Sequence, residues 1–144
     1  MQEHLEIVRK RFESDQYAKL LGIVLDELTE DTIQMHMQLR ENTLNWFNRP
    51  HGGAIYALAD TAFSVLGNNT NNLSMALDCS ITYHASPDLG TTLIVEGETL
   101  SATRRTAAFS FSVYMEKKGT RTLIATMKSV AYRTGKPIDP NIAQ

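Results

Sequence analysis

The chain has 144 residues, a formal charge of −2 and 42% apolar side chains, which fits one soluble globular domain spanning residues 1–144. So small a charge gives no general electrostatic drive toward nucleic acid, although local Lys and Arg clusters stay able to bind phosphate. The single cysteine, Cys79, excludes an intramolecular disulfide, and no apolar run reaches the length that spans a bilayer. The start Met-Gln-Glu-His-Leu-Glu lacks the basic and apolar stretches of a secretory signal, so a cytoplasmic location is the expectation.

Leu5, Val8 and Phe12 recur at helical spacing among charged neighbours and predict a short amphipathic helix over 3–13. Residues 20–28 read as a strand with Gly22 near its start. From 32 to 40 the apolar Ile33, Met35, Met37 and Leu39 alternate with Gln34, His36, Gln38 and Arg40, a strand with one wet face. Glu30-Asp31 turns the first of these strands into the second, as a hairpin. A loop from 41 to 50 leads into a helix over 52–67, ended by Asn68-Asn69. Its apolar stripe is Ile55, Leu58, Ala59, Ala62 and Leu66. A second face is small or short: Gly53, Ala57, Asp60, Thr61 and Ser64. Four more strands follow, over 74–85, 91–102, 107–117 and 121–133, separated by turn sequences such as Pro87-Asp88-Leu89-Gly90 and Lys117-Lys118-Gly119-Thr120. The expected layout is α+β, an antiparallel sheet of about six strands around one central helix.

Chemistry concentrates between Asn45 and Asp60. A helix starting near Gly52 presents amides with no internal acceptor, able to bind developing negative charge. Asp60 lies about 12 Å further along that axis, at roughly 1.5 Å per residue. One reacting carbonyl cannot touch both groups of one helix. If both act on the same atom, a second copy of the helix lies alongside.

The string Asn45-x5-His51-Gly52-Gly53-x6-Asp60, inside this element order, resembles the hotdog-fold acyl-CoA thioesterases of the phenylacetate-degradation (PaaI-like) type. The run Ala57-Leu-Ala-Asp-Thr-Ala-Phe63 is especially close to that group. The resemblance implies a curved sheet wrapped around one long helix, in homodimers that pair further into homotetramers. It implies hydrolysis of an acyl-CoA thioester to free acid and CoA, with aryl-acetyl or medium-chain acyl groups as substrates. In it the Gly52 amide polarises the thioester carbonyl, and Asp60 of the opposite subunit is nucleophile or general base. His51 and Asn45 position the thioester and the attacking water, and Gly53 is among the substrate-binding residues. Coenzyme A belongs to the substrate, and no cofactor is implied.

Each residue also has a plainer reading. His-Gly-Gly makes a tight loop-to-helix turn, a mid-helix aspartate is often solvated, and a loop asparagine (Asn45, or Asn48 in the same loop) is often a turn former. Ser86, before Pro87, matches a polar position near the carboxylate in some relatives, with one residue of uncertainty in register. Arg104 and Arg105 at a strand turn, with Lys128 and Arg133 on the last strand, are candidates for the CoA phosphates. Trp46 and Phe47 line an acyl pocket or pack between subunits. The four histidines and Cys79 have no metal-ligand spacing. Two other functions stay open, an acyl-thioester hydratase and a non-hydrolytic acyl-CoA sensor. Against the first stands the absence of hydratase loop motifs, and against the second the short stretch before the first strand.

Overall fold

In a computed structural model that describes residues 2–142, helices α1 (Gln2–Phe12) and α2 (Gln16–Leu21) precede the sheet. Val8 of α1 is buried, with Leu5 and Phe12 packed against the same core, so the amphipathic spacing places this helix as expected. Residues 20–28 are a correction. Leu20 and Leu21 finish α2, and only Val24–Leu28 form strand β1. The cause is capping at both ends. The Asp15 carboxylate accepts from the Ala18 N–H at 3.0 Å, and Gly22 takes the left-handed conformation (φ 72°) that ends the helix.

The other strands differ from expectation by one or two residues at their ends. They are β2 (Thr32–Gln38), β3 (Ser74–Tyr83), β4 (Thr92–Ala102), β5 (Thr106–Lys117) and β6 (Thr120–Arg133). The sheet is antiparallel throughout, in the order β1-β2-β4-β5-β6-β3. A single long helix, α3 (Gly52–Leu66), lies against one face, as the α+β layout requires.

Alternation decides which side chains meet that helix. Ile33, Met35 and Met37 of β2 pair with Gly97, Val95 and Leu93 of β4, and all six are buried. Phe109, Phe111 and Val113 of β5 and Met127 of β6 continue the layer. From α3 the stripe Ile55, Leu58, Ala59, Ala62 and Leu66 is buried as its spacing predicts. Full burial of one such leucine contributes about 1.5–3 kcal/mol. Gly97 is the thin point of the layer, since a Cβ there would overlap ring carbons of Phe111.

Two features set the ends of α3. Its C-terminus is tied to the first hairpin by buried Asn69, whose amide donates to the carbonyls of Thr29 and Glu30, both at 2.7 Å. Beside it runs β3, an edge strand of the sheet, with Met75 and Leu77 each 61% exposed and Tyr83 47% exposed.

Candidate functional site

The loop before α3 is held by its own polar groups. The Asn45 side-chain oxygen accepts from the N–H of Phe47 (2.8 Å) and of Arg49 (3.1 Å), and the Asn45 N–H donates to the Arg49 carbonyl at 2.7 Å. Asn45 therefore closes this loop through its oxygen, which leaves its amide NH₂ as the polar group it can offer outward. Asn48 takes a positive φ of 61°, a conformation that suits asparagine, and so acts as the turn former.

His51 is the N-cap of α3. Its Nδ1 accepts from the Gly53 N–H at 2.8 Å, so Nδ1 carries no proton and the neutral ring holds its hydrogen on Nε2, facing outward. This bond sorts the two glycines. The Gly53 amide is consumed by the cap, and a Cβ at Gly53 would stand 2.9 Å from His51 Nδ1, so only glycine lets the imidazole fold back. The Gly52 N–H, one residue earlier, has no protein acceptor among the described residues. Above Gly52 lies Tyr83, whose hydroxyl donates to the Gly52 carbonyl at 2.9 Å. Tyr83 was not singled out in the sequence. Its partner is 31 positions away, and no local signal marks the pair.

Asp60 is half-buried, two turns further along α3. Burial pushes its carboxyl above the ordinary aspartate value, and it accepts no hydrogen bond among the described residues. Next to it, one turn earlier, interaction with the Cys79 thiol, helped by burial, pushes the Tyr56 hydroxyl up to about 12. Burial and the nearby Asp60 push the Cys79 thiol up, while interaction with the Tyr56 hydroxyl opposes them, so Cys79 stays a neutral thiol at ordinary pH. The expected small face of α3 is divided. Gly53 and Ser64 are exposed, but Ala57 and Thr61 are buried within the protomer, where the Thr61 hydroxyl donates to the Ala57 carbonyl at 2.6 Å.

A helix-end amide and a half-buried carboxylate, each without a hydrogen-bond partner among the described residues, thus lie on one helix. A model of the thioesterase superfamily matches residues 47–122, which contain both. The chain belongs to the thioesterase superfamily. A putative esterase from Archaeoglobus fulgidus is 30% identical over 129 residues, covering 90% of this chain and 82% of that protein. The acyl-coenzyme A thioesterase PaaI of Escherichia coli is 26% identical over 127 residues, covering 88% and 89%. The solved structure of E. coli PaaI superposes with a TM-score of 0.89 at 23% identity, covering 96% of this chain and 98% of that one, which identifies the fold as a hotdog.

The remaining expected site residues of this superfamily member fall in three places. Ser86 is exposed and bonded to Arg49: its hydroxyl accepts from Arg49 Nε (3.2 Å) and Nη2 (2.9 Å), and Nη2 also reaches the Pro87 carbonyl at 3.0 Å. Arg49 thus straps the Asn45 loop to the loop after β3, and Asp88, paired with Lys117 at 2.9 Å, lies 3.9 Å from it. Neither Arg49, three positions before Gly52, nor Lys117 was among the expected cations. Arg104 and Arg105 are exposed in the β4–β5 turn, at the end of the sheet where α3 finishes, opposite Gly52. Arg133 is beside them, its Nη1 donating to the Thr103 carbonyl at 3.0 Å. Lys128 is exposed and points to the sheet face away from α3, since its neighbours Met127 and Ser129 are the buried ones. Trp46 and Phe47 meet with tilted rings, 3.9 Å between centroids, and are exposed. Among the described residues, no three His, Cys, Asp or Glu side chains gather as a metal site, and no helix is long and apolar enough to cross a membrane.

Proposed function

We propose that this protein hydrolyses acyl-CoA thioesters in a site completed by a second copy of the chain. One observation carries the reading: Gly52 N–H and the Asp60 carboxylate are both unspent, yet they lie on one uninterrupted helix, separated by about 12 Å. An antiparallel second α3 would bring Asp60 of one copy to Gly52 of the other. The free β3 edge, with exposed Met75, Leu77 and Tyr83, supports pairing through this side of the sheet. We extend the assembly to a homotetramer of two such dimers. The name of the E. coli relative, an acyl-coenzyme A thioesterase, supports the substrate class, with aryl-acetyl and medium-chain acyl groups as the preferred range.

In this mechanism the Gly52 amide donates to the thioester carbonyl oxygen and holds the oxyanion that forms on attack. Ionised Asp60 takes a proton from water, whose oxygen adds to the carbonyl carbon. Collapse of the tetrahedral intermediate breaks the C–S bond, and the CoA thiolate leaves and is reprotonated. In the covalent variant Asp60 itself adds, giving a mixed anhydride that water then hydrolyses. The Asn45 NH₂ and the His51 Nε2–H orient water and thioester.

The test is Asp60→Asn. CoA release is expected to fall by at least a thousandfold, with the oligomer unchanged by light scattering. Turnover at the parent rate would sink the mechanism. Single-turnover hydrolysis in H₂¹⁸O separates its two versions: the general-base route labels the product acid, whereas an anhydride opened by water at the Asp60 carboxyl carbon gives an unlabelled acid and leaves the label in the Asp60 side chain.

A further inference from the structure

We infer that the acyl group extends beyond the Asp60 cleft into a second, apolar cleft roofed by α1, so that the protein favours acyl chains long enough to reach it. This rests on the hydrolase reading above and specifies its substrate. The first cleft, about 230 Å³, lies between α3 and β3 and is lined by Asp60, Phe63, Ser64, Met75, Ala76 and Ala131. A second of about 310 Å³ lies on the far side of Ser64 and Asn68, walled by Val8, Phe12, Val65, Leu73 and Ile138. Ser64 and Asn68 line both, so the two spaces adjoin at one point on α3.

The junction is built to stay open. Asn68 is held back by its own bonds: its amide donates to the Ser64 carbonyl at 2.8 Å, and its oxygen accepts from the Ser74 N–H at 2.8 Å. Ser64, one turn before it, is exposed and contributes only a hydroxymethyl group. Any longer side chain at 64 would fill the passage.

The chemistry of the two spaces differs in the sense an acyl thioester needs. Asp60 borders the first, where the carbonyl reacts. The second is walled mainly by aliphatic and aromatic side chains, and its charged members, Arg11 and Asp15, are at its rim in bonds of their own. Arg11 Nη2 donates to the Ile138 carbonyl at 3.2 Å, and Asp15 caps α2. Leu73, 41% exposed, has its apolar surface there without a protein partner to cover it. A hydrocarbon tail is the occupant that gains from such a wall, whereas a polar acyl group would lose its hydration. The two clefts combined fall in the size range of small-molecule sites, about 300–1,000 Å³.

The experiment is a CoA-release series on the full chain with saturated acyl-CoAs from butyryl to dodecanoyl. Each methylene that enters an apolar wall is expected to raise kcat/KM, by up to about fourfold, and the rise ends when the second cleft is full. Leu73→Trp and Ile138→Trp narrow that cleft from two walls. In each, the ratio of kcat/KM for dodecanoyl-CoA to that for butyryl-CoA is expected to fall at least tenfold, with folding followed by thermal melts. A parent series that is flat or falls beyond butyryl overturns the inference without any variant. So does an unchanged ratio in a folded variant. No hydrolysis of any acyl-CoA would overturn the hydrolase reading and this inference with it, whereas turnover without length dependence overturns this inference alone.

Discussion

Replacing Gly53 by alanine separates the position of His51 from the stability of the helix it caps. A Cβ at 53 would lie 2.9 Å from His51 Nδ1 and 3.1 Å from its Cε1, so the ring must swing away and the 2.8 Å cap bond is lost. Loss of an N-cap bond costs about 1 kcal/mol. Alanine in place of glycine inside a helix returns roughly 0.5–1 kcal/mol through backbone entropy. The two nearly cancel, and the melting temperature is expected to move by no more than ~3 °C for a chain of this size. Activity does not share the cancellation. The ring has to give by about half an ångström to reach ordinary contact, and since ~1 Å of misplacement costs up to roughly a hundredfold in rate, kcat/KM, followed by release of the CoA thiol from acyl-CoA, is expected to fall about tenfold. His51→Ala added to Gly53→Ala is expected to cost little more, because the first change already removes the ring from its place. Parent activity in a folded Gly53→Ala protein would show that the cap geometry of His51 has no part in turnover.

Burial raises the folded Asp60 carboxyl above its unfolded value, so ionising it opposes folding. Stability is therefore expected to increase as the pH falls from neutral through the folded Asp60 pKa, and Asp60→Asn should remove this component in chemical denaturation from pH 7 down to 4. The acid limb of kcat for hydrolysis should lie above the ordinary aspartate range for the same reason. Gly97→Ala drives a methyl group into the Phe111 ring and against Ile33, and is expected to cost about 1–3 kcal/mol in urea denaturation. Ser129 is 1% exposed, and its hydroxyl has no hydrogen-bond partner among the described residues. Its removal in Ser129→Ala should leave stability unchanged or raise it by about 1 kcal/mol, and a loss of that size would mean the hydroxyl is bonded in solution.

Strand β2 was legible because its Ile-Met-Met row is buried while Gln34 and Gln38 remain wet, so a period of two survives in the sequence. The central helix was legible for the corresponding reason at a period of 3.6. Helix α2 was not, because Leu20, Leu21, Ile23, Val24 and Leu25 form an apolar run without a period, and the boundary is written instead in Asp15 and Gly22. At the site, His51, Gly52 and Gly53 could be read as a helix start, since their interactions are local. The division of labour between the two glycines depends on where the imidazole turns, which spacing alone does not encode. Arg49 and Ser86, 37 positions apart, meet only because two loops converge at one end of the sheet.

The strand order has a consequence for synthesis. The segment that follows α3 directly, β3, takes its place only through β6, with Ser74 opposite Arg133 and Tyr83 opposite Ala125. A nascent chain therefore carries β3 unpaired until residues 120–133 leave the ribosome, with Met75, Leu77 and the neighbourhood of Asp60 open to solvent. Folding that waits on such distant pairing is slow and exposes an apolar edge meanwhile. A pause or premature stop before Thr120 would leave α3 with β2, β4 and β5 to pack on but β3 without its pairing strand, a chain prone to aggregate rather than to show partial activity.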